Sequence, residues 1–407
     1  MMRSAIAIGV AVLAAAVACA ASPQITAYGE GLDDLASDAL LLDDGGIIIV
    51  GETIVAFEPD VIRHILLLRL DADGHLLWTQ TYGGDRSGSG HGVSSDGNGG
   101  FVVSGAIRSE CGNDSDVYLL RVDSDGNELW SRTFGTPLDE VGGRVSGCES
   151  TGYWIVGNSV DPNDVVADPG AAGYAGFAGR SNIYVVRTDG QGRELWSRLI
   201  ESEANTIAFS SVPTDDGIVI LSGILHYPAN DNDIVLTKLN ADGDDVWSRT
   251  WAIGSALGYS INTTSDGGYI ISGLRSFPGD PTLAKPDLLL IKVNADGDET
   301  WLTTYGDPSL MEAGDAVTET ADGGFVSCGW QTPDLYTPGD DILIAAFNRS
   351  GAVLWEDVIP SSAHNLHVRI FSLLGGTHVI VGSARQPGQS FRIQLIRIGP
   401  HDTTDTM

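Results

Sequence analysis

Paired carboxylates recur at fixed places in this chain. Asp71 and Asp73, and again Asp123 and Asp125, stand two apart with a glycine directly after the pair. Alternate acids before a glycine are how a calcium loop offers oxygens to one hard cation. The full spacing of such a loop, with its third donor and distal Glu, is missing, so two carboxylates alone supply too few ligands. The same Asp-x-Asp-Gly string is also a tight hairpin turn whose glycine takes the positive φ. Turn chemistry is the preferred reading, and Ca2+ is kept open as a cofactor; no metal-ligating residue is assigned.

A second set of acids, Asp116, Asp233, Asp287 and Asp341, shares one repeated position with Asn182, while His64 and Arg392 break the pattern. A ring of carboxylates could hold cations; hydrogen bonding to the preceding loop backbone is the simpler role. The eight histidines are scattered. His364 and His367, three apart on an expected strand, point to opposite faces and do not share a metal. His64, His91, His226 and His364 fall on loops or strand starts of one face, with no motif around them. The chain has no His-Glu-x-x-His, no Gly-x-Ser-x-Gly, no Cys-x-x-Cys and no Gly-Lys phosphate loop. No catalytic residue is therefore assigned, although a site assembled from several repeats would leave no local pattern.

The elements that must position these residues are repeats. One phrase occurs seven times: DGGIIIVG (44–51), NGGFVVSG (98–105), STGYWIVG (150–157), DDGIVILSG (215–223), DGGYIISG (266–273), DGGFVSCG (322–329) and LGGTHVIVG (374–382). A second apolar phrase follows each, from RHILLLRL (63–70) to FRIQLIRI (391–398), and after the first six comes a third of the DADGHLLW (71–78) type. Six of the nine tryptophans occupy its last position. Short Val, Ile, Leu and aromatic runs bounded by Gly and Asp are strands. With the stretch before each DGG, such as EAGDAVTET (312–320), each unit supplies four antiparallel strands. Four strands repeated about every fifty residues predict an all-β, seven-bladed β-propeller over residues 24–398.

The count closes at the ends. The seventh unit has no Trp strand, and QITAYG (24–29) matches the tail of the missing one, as in WLTTYG (301–306). The N-terminal strand is thus expected to complete the last blade and remove the open edge of a linear array. Packing between blades is the expected role of the recurring tryptophans.

These units resemble the DGGYI…DxLLIK…DGxxxWxxxYGG repeats of secreted bacterial and archaeal propeller proteins, and more distantly the delta-60 type repeats. The resemblance covers nearly all of residues 24–398. It implies fold and export, not a reaction.

Composition sets the partners. The formal net charge is −32 with only three lysines, Lys238, Lys285 and Lys292, and such a surface repels nucleic acid and anionic lipid. The first residues, MMRSAIAIGVAVLAAAVACA, read as an export signal: Arg3, an apolar run, then small residues. Ala16-Val17-Ala18-Cys19 resembles a lipobox, which makes 1–19 the signal segment, Cys19 the lipidated residue, and a lipid anchor the only membrane contact; ordinary cleavage near Ala20 or Ala21 is the rival. Residues 399–407 read as a short disordered tail. Cys111, Cys148 and Cys328 fall on different blades and are expected unpaired.

Loop lengths point to the ligand face. The connections between second and third strands emerge together and carry Tyr174, Phe177, Tyr227, Phe277, Trp330 and Tyr336. Aromatics with acids on a rigid scaffold suit a carbohydrate or protein partner. The reading that follows is a monomeric, exported propeller that acts as a non-enzymatic binding scaffold, lipid-anchored at the cell envelope or secreted. Its alternative is a polysaccharide lyase or glycoside hydrolase with its site at the central axis, which requires paired carboxylates or a His, Tyr and Arg group converging there.

Overall fold

The structure, a computed structural model, describes residues 23–29, 31–56, 61–109, 114–161, 180–226, 231–276, 285–334 and 339–400. Its 28 strands form seven separate four-stranded sheets. Every neighbouring pair for which a register is defined runs antiparallel, and each hairpin follows chain order from the innermost strand outward. The molecule is the expected seven-bladed β-propeller. No helix occurs among the described residues.

Blade 1 spans residues 34–82, blade 2 88–134, blade 3 139–200, blade 4 205–251, blade 5 255–305 and blade 6 311–359. Blade 7 joins residues 364–398 to the other end of the chain: β1 (Gln24–Tyr28) pairs antiparallel with β28 (Arg392–Ile398), from Gln24 opposite Arg397 to Tyr28 opposite Ile393. The ring is closed as the repeat count requires.

Burial follows from the sheets. The middle two strands of each blade are continuous Val, Ile and Leu runs because both faces are covered; the outer strands are largely exposed. Apolar side chains collect in seven cores, one per seam between adjacent blades, including one shared by blades 7 and 1 through Tyr28, Leu68, Val381 and Leu395. Stability is thus spread around the ring, and no blade buries its faces without its neighbours.

The tryptophans hold these seams at their outer rim, but differently from expectation. All six are only partly buried, because the outermost strand has solvent beyond it. Each of the first five rests against the turn glycine of the next blade. A Cβ at Gly192 would lie 2.5 Å from the Trp130 ring, and one at Gly297 2.7 Å from that of Trp247. Tyr28 and Tyr82 reinforce the seams by donating their hydroxyls to Gly74 O (2.5 Å) and Gly126 O (2.6 Å).

Candidate axial ligand site

The innermost strands carry the feature that builds the site. They are β2 (Asp34–Leu41), β6 (Gly88–Ser95), β10 (Asp139–Cys148), β14 (Asn205–Thr214), β18 (Ser255–Thr263), β22 (Met311–Glu319) and β26 (His364–Ser372). Every one is interrupted by a one-residue register shift. The inserted residues are Ser37, His91, Gly143, Phe209, Tyr259, Asp315 and Val368. A bulge leaves its extra residue out of the ladder, and the free edge of an innermost strand faces the axis. All seven are only partly exposed, beside neighbours that are mostly buried. They form the lining of the axial mouth.

The repeat phrase explains the bulges. Each inserted residue stands fourteen positions before the closing glycine of its own repeat, as Ser37 does before Gly51 and Tyr259 before Gly273. In five blades a Cβ on that glycine would fall within about 2 Å of an inner-strand carbonyl, for example 1.7 Å from Leu35 O at Gly51 and 2.0 Å from Ser89 O at Gly105. Only glycine lets the bulged strand approach this closely. Blade 4 differs: Gly223 makes room for the Phe209 ring instead.

The two sides of the mouth differ chemically. Blades 4 to 6 supply an aromatic side. Phe209 and Tyr259 meet edge to face with centroids 5.6 Å apart, and both pack with Trp330 against a cluster of Ile207, Leu225, Leu257, Leu274 and Ala313.

Blades 7, 1, 2 and 3 supply a charged side, built on the residue after the bulge. Asp38 is 1% exposed. Its Oδ1 accepts Arg369 Nε at 2.7 Å and the Ala39 amide at 2.8 Å, and its Oδ2 accepts the Val93 amide at 3.1 Å. Arg144 Nη1 lies against the same carboxylate without an aligned hydrogen bond. It reaches from blade 3 to blade 1 past blade 2, which has Gly92 at the corresponding position. Burial would raise the Asp38 pKa, but the guanidiniums of Arg144 and Arg369 outweigh it and hold the carboxyl below its ordinary value. Two guanidiniums on one carboxylate leave a net positive centre inside a chain of charge −32. His91 stands two residues before Val93 on the same inner strand. Burial pushes its pKa down to about 4, so the imidazole is neutral at neutral pH.

The residues expected to bind ligand are placed as follows. Trp330 lies on the second strand of blade 6 and joins the axial aromatic cluster. Tyr174, Phe177, Tyr227, Phe277 and Tyr336 lie outside the described residues, as do Cys19 and Cys111. His91 is not at a loop or strand start; the bulge carries it into the middle of an inner strand. His226 pairs with Asp233 (3.1 Å) and His364 with Asp340 (2.6 Å), away from His91 in the chain.

The repeated acids are structural. Asp341 accepts the Ser361 amide (2.8 Å) and Asn182 that of Ser202 (3.1 Å), so these two bind the connection to the next blade, whereas Asp233 pairs with His226 before it. Glu312 joins Asp287 at such a seam, and burial, with Asp287 close by, pushes its pKa up to about 7. In the Asp-x-Asp-Gly turns, Asp71 and Asp123 each accept two backbone amides at 2.8–2.9 Å. Asp71, Asp73 and His75 also place one ligand atom each within 4.8 Å of one another, on the exposed turn face. Cys148 and Cys328 are unpaired.

No protein-family model and no curated protein matches the sequence. Solved structures similar to it include a puromycin hydrolase (13% identity, TM-score 0.53, covering 90% of this chain and 54% of that one). The acylaminoacyl peptidase of Pyrococcus horikoshii is similar at 11% identity and TM-score 0.50, covering 91% of this chain and 53% of that one. A polysaccharide lyase is similar at 9% identity and TM-score 0.50, covering 92% of each chain. At such identities the likeness is one of fold. The chain spans about half the length of the hydrolase and the peptidase.

Proposed function

We propose that this propeller is an exported binding protein whose axial mouth takes an acidic sugar. The observation that carries the reading is the division of the mouth. Phe209, Tyr259 and Trp330 offer an apolar wall suited to the face of a pyranose ring. Arg144, Arg369 and Asp38 offer a net positive centre suited to a carboxylate. A neutral sugar would use the first and waste the second; a free anion would do the reverse.

Export and attachment to the envelope through Cys19 belong to the same reading, supported by the Arg3 to Cys19 segment. Incorporation of a labelled fatty acid in cells, lost on Cys19→Ser, tests the anchor. Binding is tested by calorimetric titration with a uronate trisaccharide and with its neutral counterpart. The uronate is expected to bind at least tenfold more tightly, and Tyr259→Ala to weaken it about tenfold. Equal affinity for the two sugars would contradict the reading.

A second reading has one observation in its favour: His91 stands on the bulge of its inner strand at the same mouth, where burial keeps its imidazole neutral. A neutral imidazole could remove the proton beside a uronate carboxyl. The electron pair would then form a carbon–carbon double bond as the glycosidic C–O bond breaks, with a proton passing to the leaving oxygen. One of the structures similar in fold is a polysaccharide lyase. Appearance of an unsaturated, ultraviolet-absorbing uronate, lost in His91→Ala, would establish this second reading.

A further inference from the structure

The repeats serve as controls for one another at the outer rim. In blades 2 and 4 an arginine two residues after the strand tryptophan lies over the indole. The Arg132 guanidinium carbon is 5.2 Å from the Trp130 ring centroid and that of Arg249 is 5.5 Å from Trp247. The same guanidiniums donate to the turn of the next blade, Arg132 to Gln191 O (3.4 Å) and Arg249 to Asp296 O (3.0 Å). In blade 3, Arg198 pairs with Asp245 across the seam (3.0 Å).

Blade 1 has Gln80 at this place. Its Cγ would meet a Cβ on Gly126 at 2.9 Å, just as the Cγ of Arg132 would meet one on Gly192 at 3.3 Å. The stem is retained and the cation is gone. Among the described residues no cation lies over Trp78. Blades 5 and 6 also lack the arginine, but their indoles are engaged otherwise: Trp301 Nε1 donates to Arg349 O at 3.0 Å, and Trp355 lies 5.9 Å from the His378 ring.

At the seam of blades 1 and 2 a groove of about 790 Å3 opens, bounded by Leu42, Asp43, Arg69, Trp78, Phe101 and Asp125. Gly99 lies on its wall, and a Cβ there would meet nothing within 4 Å. The Asp43 and Asp125 carboxylates are exposed, whereas Asp44 is engaged by Arg69. Asp125 occupies the turn position of Gln191 and Asp296, the acceptors used by arginine at the other seams.

We propose that this groove binds an arginine side chain of a basic peptide. Its guanidinium lies over Trp78 and is received by Asp43 and the Asp125 turn, supplying from outside the cation that blades 2 and 4 supply from within. A cation over an indole is attracted by the negative face of the ring, more strongly where the pair is shielded from water. The −32 charge steers a basic partner toward the surface. The proposal is independent of the axial site.

The test is a tryptophan-fluorescence titration with acetyl-Arg-Arg-Arg-amide at physiological salt, using the full folded chain. Gln80→Arg places a guanidinium over Trp78, as Arg132 and Arg249 lie over their indoles, and is expected to weaken binding at least tenfold while melting no lower than the parent. Thr303→Arg places the same charge at the equivalent site of blade 5 and is expected to leave binding unchanged. That pair separates a site from general attraction, because both variants alter net charge equally. Undetectable binding by the parent protein, unchanged binding by Gln80→Arg, or equal loss in both variants would each overturn the proposal.

Discussion

Arg369 Nε donates to Asp38 Oδ1 at 2.7 Å, joining residues 331 positions apart in the chain. Arg144 meets the same carboxylate from blade 3. One buried acid therefore ties blades 7, 1 and 3 together at the axis, while Val93 of blade 2 donates its amide to it. Closure of the ring is thus secured at its centre as well as by β1 at its rim.

Removing that acid strands two guanidiniums in a region of low solvent access. Asp38→Asn is expected to destabilise the fold by about 3–5 kcal/mol, the range for breaking a buried pair from one side. The pH dependence has a definite sign. The folded pKa of Asp38 is lowered, so its contribution is present above the unfolded pKa near 3.8 and is lost as pH falls through the folded value. Urea unfolding at pH 7 and at pH 3 measures both effects, and the difference between the parent and the Asp38→Asn variant should shrink at the lower pH.

Glu312 acts in the opposite direction. Its folded pKa is raised to about 7 by burial, so its contribution is present below the unfolded pKa near 4.5 and is lost as pH rises through 7. Glu312→Gln retains an acceptor for the Asp307 amide. The variant is expected to flatten the decline in stability between pH 4.5 and 7, seen as a smaller change in denaturant midpoint across that window.

The N-terminal strand is structural. Deleting residues 22–29 removes β1, exposes the edge of β28, and deletes the Tyr28 contact with Gly74. Cooperative unfolding at a lower temperature, with aggregation, is expected. The milder Tyr28→Phe should cost about 1 kcal/mol, the net value of one hydrogen bond. A truncated protein that melts unchanged would contradict the closure.

The seam glycines should prove about as hard to replace as the tryptophans they support. Gly192 has φ +72°, and its added Cβ would meet the Trp130 ring. Gly192→Ala is expected to cost about 1–3 kcal/mol through overpacking and strain. Trp130→Ala should cost about 2 kcal/mol, below the usual range for a fully buried aromatic because the indole is half-exposed. Thermal denaturation of the two variants gives the comparison.

The fold was legible in the sequence because it repeats: a seven-fold count of Val- and Ile-rich phrases, and one missing Trp strand supplied by Gln24–Tyr28, leave little freedom. The site was less legible. Ser37, His91, Phe209, Tyr259 and Asp315 share no residue type, so self-comparison passes over them. Their common signal is positional, the fixed distance to a glycine such as Gly51 or Gly273. That glycine reads as strand punctuation until the close inner-strand carbonyl shows why it is needed. The Asp38, Arg144 and Arg369 group is legible only in three dimensions, since its members come from three different blades.

Ligand is expected to enter at the axis. Ser37 lines the mouth on its bulge, half-exposed, so Ser37→Trp should plug the opening without disturbing the seams. Calorimetric titration of this variant with the uronate trisaccharide is the most direct measurement. A protein that melts like the parent and has lost at least tenfold in affinity is the expected result. Parent-like affinity in the plugged, folded protein would show that the sugar binds elsewhere and would contradict the account.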